Sequence, residues 1–193
     1  VPAPDRTTES WGRGERFGIV AIGHDEVYWF AVADAPPGGT DGDVRAELLQ
    51  RFGNWHAPIP SILRATPTDR ILRTDIADRD PITRWHDGPV VLLGDAAHPM
   101  TPNLGQGACQ AVEDAFVLAD ALATGGTIAA AFHIYQQRRV ARANAIALAS
   151  RRLGAIAQWS HPAAVAIRDT LMRLTPVSVA QKQMQALWTV PKH

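Results

Sequence analysis

Apolar and polar positions change period several times along the chain, and each change marks an element. Arg16 to Ile22 and Val27 to Ala33 are short apolar runs on either side of Gly23-His24-Asp25-Glu26, the pattern of a β-hairpin. In the second run Tyr28, Trp29 and Phe30 are consecutive, so alternation puts Tyr28 and Phe30 on one face and Trp29 on the other. Residues 1 to 15, rich in Pro, Gly and charge, read as an extended lead-in. Thr40 and Asp43 are candidate caps for a short helix that turns Val44, Leu48, Leu49 and Phe52 inward. Trp55 to Ala65 predicts a second short helix, with Pro58 and Pro60 in its first turn and Ile59, Ile62 and Leu63 inward. Ile71 to Ile76 alternates as a strand, with Ile71, Arg73 and Asp75 sharing a face.

The chain is organised around residues 89 to 122. Val90, Val91, Leu92 and Leu93 form an apolar run without alternation, which predicts a strand buried on both faces, with Asp95 at its carboxyl end, where ligand crevices of open α/β sheets lie. Pro99, Pro102, Gly105 and Gly107 hold the next stretch to a loop path. A helix then starts near Gly107, with Ala108, Ala111, Val112, Ala115, Leu118, Ala119 and Leu122 as its apolar stripe. Its first N–H groups and positive dipole end face the loop and suit an electron-rich ligand atom. Thr127 is the expected N-cap of a long helix that continues or kinks near Ser150 and stops at His161-Pro162. On it, Arg138, Arg139 and Arg142 are read as partners of Glu113, Asp114 and Asp120 rather than as nucleic-acid contacts. Val165 to Leu174 predicts another short helix, and Met184, Leu187 and Trp188 are apolar anchors beyond it.

Composition narrows the function. A hydrophobic content of 46% excludes a disordered chain, and 19 basic against 19 acidic residues leave no net charge to attract nucleic acid or an acidic membrane. No apolar run reaches membrane-spanning length. The single cysteine, Cys109, allows no internal disulfide, fits a cytoplasmic location and is expected to be packed among small residues. The start VPAPDRTTES has neither the basic end nor the apolar stretch of a signal peptide. His56 has no acidic or cysteine partner at metal spacing. No nucleophile elbow, HExxH or P-loop occurs, so no catalytic side chain and no metal ligand is singled out. A ligand crevice rich in backbone donors and poor in ionisable catalysts is what cofactor chemistry needs.

The string Gly94-Asp95-Ala96-Ala97-His98-Pro99, followed by Pro102, Gly105, Gln106, Gly107 and Glu113-Asp114, resembles the second flavin-binding motif of the class A flavoprotein aromatic monooxygenases, the family of para-hydroxybenzoate, salicylate and urate hydroxylases. Pro81, Trp85, Gly88, Val91 and Leu93 extend the match upstream, and Tyr135, Arg138, Arg139 and Arg142 match a later element. The resemblance implies an FAD-dependent monooxygenase that uses NADH or NADPH and O2 to hydroxylate a small aromatic or related electron-rich ring. Gly94, Asp95, Pro99, Pro102, Leu104, Gly105, Gln106 and Gly107 would hold the cofactor, with Asp95 on the ribityl chain. Arg16, Tyr28 and Arg73 are the substrate-side candidates, and the hairpin would roof the flavin ring.

No GxGxxG strand–turn–helix occurs; Gly12-Arg13-Gly14-Glu15-Arg16-Phe17-Gly18 has the wrong spacing and context. The expectation is therefore an α+β fragment, the C-terminal half of a GR2/PHBH-like fold. An antiparallel substrate-domain sheet with short helices (1–80) would precede one strand and helices completing a Rossmann-like FAD-binding domain (81–125) and a C-terminal helical region (126–193). Its partner would be a missing N-terminal GxGxxG half, and the fragment alone would be inactive; a homodimer stays open. Two rival readings stay open as well: a module that binds no flavin, and a related flavin epoxidase or dehydrogenase.

Overall fold

The structure, a computed structural model, describes residues 7–23, 26–39 and 42–176 together with positions 178, 179, 182, 185 and 189. The expected roles of His24, Asp25, Thr40, Met184, Leu187 and Trp188 lie outside the described residues. The chain forms two compact units, one made of Val1–Asp75 with Ala157–Val165 and one of Ile76–Ile156 with Ala166–His193.

The first unit is built on a three-stranded antiparallel sheet in the order β1 (Thr8–Trp11), β2 (Glu15–Gly23) and β3 (Glu26–Ala33). The hairpin forms as its alternation predicts, but the lead-in does not stay unpaired: Thr8 to Trp11 pairs with Ile19 to Arg16. Trp29 faces inward, stacked on Phe17 at 5.4 Å between ring centroids. The inward face packs on α1 (Val44–Phe52) and α2 (Ile59–Ala65), and Phe17, Ile19, Phe52, Ile59, Ile62 and Leu63 form its buried core. Asp43 caps α1 by accepting from the Ala46 N–H at 3.1 Å. Helix α2 starts later than the sequence suggests, at Ile59. Pro58 lacks an N–H and so joins only at the boundary, where its carbonyl accepts from Ile62.

In the second unit β4 (His86–Asp87) and β5 (Val90–Val91) form a two-residue hairpin, followed by α3 (Gly107–Thr124), α4 (Ile128–Ala157) and α5 (Pro162–Leu174), of which α4 and α5 each have one end in the first unit. Trp85, Ala97, Val117, Ala121, Ala131, Tyr135 and Ala143 make its core. Thr127 caps α4 through its hydroxyl on the Ala130 N–H, and α4 runs through Ser150 unbroken.

Three expectations are corrected here. The run 90–93 is not a strand buried on both faces: only Val90 and Val91 pair, and Val90 and Leu93 are exposed. The stretch Ile71 to Ile76 joins no ladder; beyond it, residues 78–80 are held by Arg151, which binds Asp78, Asp80 and the Arg79 carbonyl. Helix α3 buries a different stripe from the apolar one. Gln110, Asp114, Val117 and Ala121 face inward, while Val112 and Phe116 are 68% and 81% exposed. That inversion works only because the buried polar groups are satisfied, as the site shows.

Candidate flavin site

The loop from Gly94 to Gly107 owes its shape to the glycines and to clamps from both flanking helices. Gly94 and Gly105 adopt φ of +57° and +61°, the left-handed region that side chains with a Cβ disfavour. Asp114, wholly buried, accepts from the Gly94 N–H at 2.9 Å, from His98 Nε2 at 2.6 Å and from Arg139 Nε at 2.7 Å. Arg139 is itself buried and also donates to Glu113, to the Gln110 carbonyl and to Gln110 Oε1 at 2.7 Å; Arg142 completes the cluster on Glu113. Burial pushes the Asp114 carboxyl up, but the His98, Arg139 and Gly94 hydrogen bonds outweigh it and hold the group below its ordinary value. Glu113 shows the same balance, burial against Arg142 and Arg139, and is likewise lowered. Tyr135, pushed up first by burial and then by the Asp114 charge, donates to the Leu92 carbonyl at 3.1 Å, and its ring and that of His98 pack on Trp85.

The far end of the loop docks on α4. Ser150 Oγ donates to the Thr101 carbonyl at 2.6 Å and accepts from the Leu104 N–H, while Asn103 Nδ2 donates to the Ser150 carbonyl at 3.0 Å. One turn on, Gly154 makes room: a Cβ there would lie 2.2 Å from Asn103 Nδ2. Arg79 tethers the near end through the Ala96 and Ala97 carbonyls. Sequence reading missed Ser150, Gly154 and Arg79. Only the four-residue spacing of Ser150 and Gly154, one face of one helix, could have pointed to the first two.

The expected cofactor residues Gly94, Asp95, Pro99, Pro102, Leu104, Gly105, Gln106 and Gly107 all lie on this loop or at the start of α3. Pro102 to Leu104 form a single 3-10 turn closed by Gly105. Gln106 is the N-cap of α3 but gives no side-chain cap, and no acidic residue sits in the first turn. Among the described residues no protein acceptor faces the N–H groups of Gln106, Gly107, Ala108 and Cys109, and the exposed Asp95 carboxylate accepts no hydrogen bond. A Cβ at Gly105 would meet nothing within 4 Å, and one at Gly107 only Met100 Cγ at 3.9 Å. Uncommitted donors, a free carboxylate and open space beside bare backbone fit a flavin: amide donors suit its carbonyl-rich pyrimidine edge, and Asp95 suits the hydroxyls of a sugar-alcohol chain. Cys109, expected to be packed, is exposed.

The substrate-side candidates Arg16, Tyr28 and Arg73 all belong to the first unit. Arg16 is 3% exposed, paired with Glu9 at 3.1 Å and Gln158 at 2.9 Å. Tyr28 is 54% exposed beside Phe30. Arg73 pairs with Glu47, not with Asp75 or Asp78, and Asp75 accepts from the Gly38 N–H. His56 bonds Ser10 Oγ and the Ala57 carbonyl. Among the described residues no helix is long and apolar enough to cross a membrane.

Comparison with known proteins agrees with this geometry. The model of the FAD binding domain family matches residues 20–150, more than half of the chain. The aurachin C monooxygenase/isomerase of Stigmatella aurantiaca is 57% identical over 88% of this chain and 45% of its own length. The 2-heptyl-3-hydroxy-4(1H)-quinolone synthase of Pseudomonas aeruginosa is 37% identical over 94% of this chain and 48% of its own. The crystal structure of Klebsiella pneumoniae HpxO complexed with FAD and uric acid superposes with a TM-score of 0.87 at 29% identity, covering 97% of this chain and 49% of that one. The chain thus spans about half the length of the curated relatives it matches.

These matches correct three linked expectations. The C-terminal-half, fragment-fold and missing-partner expectations all placed the flavin-binding portion outside this chain, whereas the FAD-binding family match lies within it. The FAD-binding match falls inside residues 20–150, and the HpxO fold follows nearly the whole chain. Physically, the polar cluster around Asp114 and Arg139 closes among residues of this chain alone. The chain belongs to the FAD binding domain family.

Proposed function

We propose that the protein acts as an FAD-dependent monooxygenase, spending NADH or NADPH and O2 to hydroxylate an aromatic ring. The observation that carries this is the loop of residues 94–107, with its uncommitted α3 donors and free Asp95 carboxylate, inside a region that matches the FAD-binding family. The flavin, once bound, supplies the redox chemistry that activates oxygen. The chain's own residues position it. Asp95 would accept from the ribityl hydroxyls, and the N–H groups of Gln106 to Cys109 would favour negative charge at the pyrimidine edge through the dipole of α3. Gly105 and Gly107 would leave bare backbone beside the ring, with Gly94, Pro99, Pro102 and Leu104 shaping the loop that would hold it. Asp114, Arg139 and Ser150 hold that backbone in place. His98, buried against Asp114, orients the loop.

For the substrate we favour a neutral bicyclic heterocycle of the alkylquinolone kind over a small anionic acid. Arg16 and Arg73, the cations that would meet a carboxylate, are occupied by Glu9 and Glu47, and a relative 37% identical over 94% of this chain is a 2-heptyl-3-hydroxy-4(1H)-quinolone synthase. Tyr28 remains the substrate-side residue. In the test, purified protein is loaded with FAD and given 2-heptyl-4(1H)-quinolone, salicylate or urate, with NAD(P)H consumption and product mass followed. The quinolone is expected to stimulate consumption and to gain one oxygen. Consumption that no ring compound stimulates, with no mass gain in any product, would refute the reading.

A further inference from the structure

The outward face of the three-stranded sheet carries a feature that neither strand geometry nor core packing requires. By register, Glu9, Trp11, Arg16, Gly18, Val20, Tyr28, Phe30 and Val32 share this face, opposite the one that packs on α1 and α2. Gly18 stands mid-strand, directly across from Phe30. Its φ is not left-handed, and no turn or bulge occurs there, so the backbone does not demand glycine. A glycine inside a strand is destabilising and characteristically marks a close approach by something else. Here the something is known. A Cβ on Gly18 would lie 2.2 Å from both Cε1 and Cζ of Phe30 and 2.8 Å from Cδ1, so the phenyl ring lies in the space a side chain at 18 would fill.

The ring therefore lies over β2 instead of standing off the sheet, and Tyr28, 6.3 Å away between centroids, borders it. The result is a low apolar floor flanked by Val20 and Val32. Among the described residues the one cation on the face, Arg16, is buried and paired with Glu9 and Gln158.

We propose that Gly18 and Phe30 are a specificity-determining pair: the flattened Phe30 ring receives the hydrocarbon tail of a neutral ring substrate, and Gly18 permits that ring position. This rests on the monooxygenase reading and refines its substrate class. A methylene moved from water onto such a floor is worth a factor of roughly two to four in affinity, until the tail outruns the face. A side chain at 18 lifts the ring and removes the floor.

The test is isothermal titration of FAD-loaded protein with 2-methyl-, 2-pentyl- and 2-heptyl-4(1H)-quinolone, salicylate and urate. It uses the unsubstituted chain, Gly18→Ala and Gly18→Ala/Phe30→Leu. The unsubstituted chain is expected to tighten with each lengthening of the tail and to bind the heptyl compound more tightly than either acid. Gly18→Ala is expected to lose most of that chain-length dependence, and the double variant to regain it, because the shorter leucine no longer needs the space. Should Gly18→Ala fail to fold by circular dichroism, Phe30→Ala replaces it, with the same expected loss. Chain-length dependence unchanged in Gly18→Ala or Phe30→Ala, or tighter binding of salicylate or urate than of the heptyl quinolone, overturns the pair. Binding needs no turnover, so the two readings fail separately. Tail-dependent binding without hydroxylation keeps the pair and sinks the monooxygenase, whereas hydroxylation without tail dependence does the reverse.

Discussion

Replacing Asp114 by Asn tests whether the buried cluster holds the flavin loop. The carboxylate accepts three hydrogen bonds, from Gly94 N, His98 Nε2 and Arg139 Nε, and is fully buried. An asparagine of the same shape keeps one acceptor oxygen and turns an NH2 toward the remaining donors, so donor faces donor at the Arg139 side or at the Gly94–His98 side. Removing one member of a buried pair typically costs about 3–5 kcal/mol, because the other charge stays behind. Arg139 keeps Glu113 and Gln110, which sets the expectation at the low end, about 3 kcal/mol. At about 2–4 °C per kcal/mol for a chain of this length, Tm should fall by about 6–12 °C. Scanning calorimetry measures it, with the transition of the second unit identified by the fluorescence of Trp85, which lies in that core. FAD affinity, read by flavin fluorescence on titration, should fall by about tenfold, the equivalent of about 1.4 kcal/mol, since Gly94 loses its anchor. A Tm loss below about 1 kcal/mol equivalent, or unchanged FAD affinity, would refute the idea that this cluster holds the loop.

Other outcomes follow from the same geometry. Gly105→Ala puts a Cβ on a residue at φ +61°; it should cost about 1–2 kcal/mol through backbone strain alone, since the space is open, and weaken FAD binding on titration. Gly154→Val should displace Asn103 from α4 and weaken FAD binding while leaving the first unit's thermal transition in place, as calorimetry would show. Asp114 and Glu113 titrate below their ordinary values of 3.8 and 4.5 in the folded chain, so their stabilisation is complete above those values and is lost as pH falls through the lowered ones. Urea midpoints measured from neutral pH downward should drop below about pH 5, and Arg139→Met should flatten that slope. Tyr135 has the opposite sign: its phenol is raised from 10, so its contribution is complete below pH 10 and lost as pH climbs toward the folded value. Ultraviolet titration should show one of the two tyrosines ionising only as the protein unfolds in alkali.

Features specified by near neighbours were legible in the sequence. The hairpin, the placing of Trp29 opposite Tyr28 and Phe30, the Asp43 and Thr127 caps and the pairing of Arg138, Arg139 and Arg142 with α3 all follow from short-range spacing or charge. The irregular path of the loop from Gly94 to Gly107 and the helix start after it were legible too, because glycines and prolines close together leave few backbone paths. What depended on distant partners was not. The polar face of α3 is buried because Arg139, 25 residues from Asp114, neutralises it; of the apolar stripe that periodicity favoured, Val112 and Leu122 point outward while Leu118 packs on the core. Thr8 to Trp11 is too polar to announce itself as a strand and becomes one because β2 offers a free edge. Val90 to Leu93 has strand composition, yet β4 gives it only two partners. Ser150 and Gly154 look unremarkable until Asn103 is seen against them.

The central claim is that this flavin loop serves oxygen insertion, and isotopically heavy O2 tests it most directly. FAD-loaded protein turning over 2-heptyl-4(1H)-quinolone with NAD(P)H under heavy O2 should yield a product carrying the heavy isotope, with the yield falling in Asp114→Asn. Product without the isotope, or NAD(P)H consumed entirely to peroxide with no ring product, would contradict it.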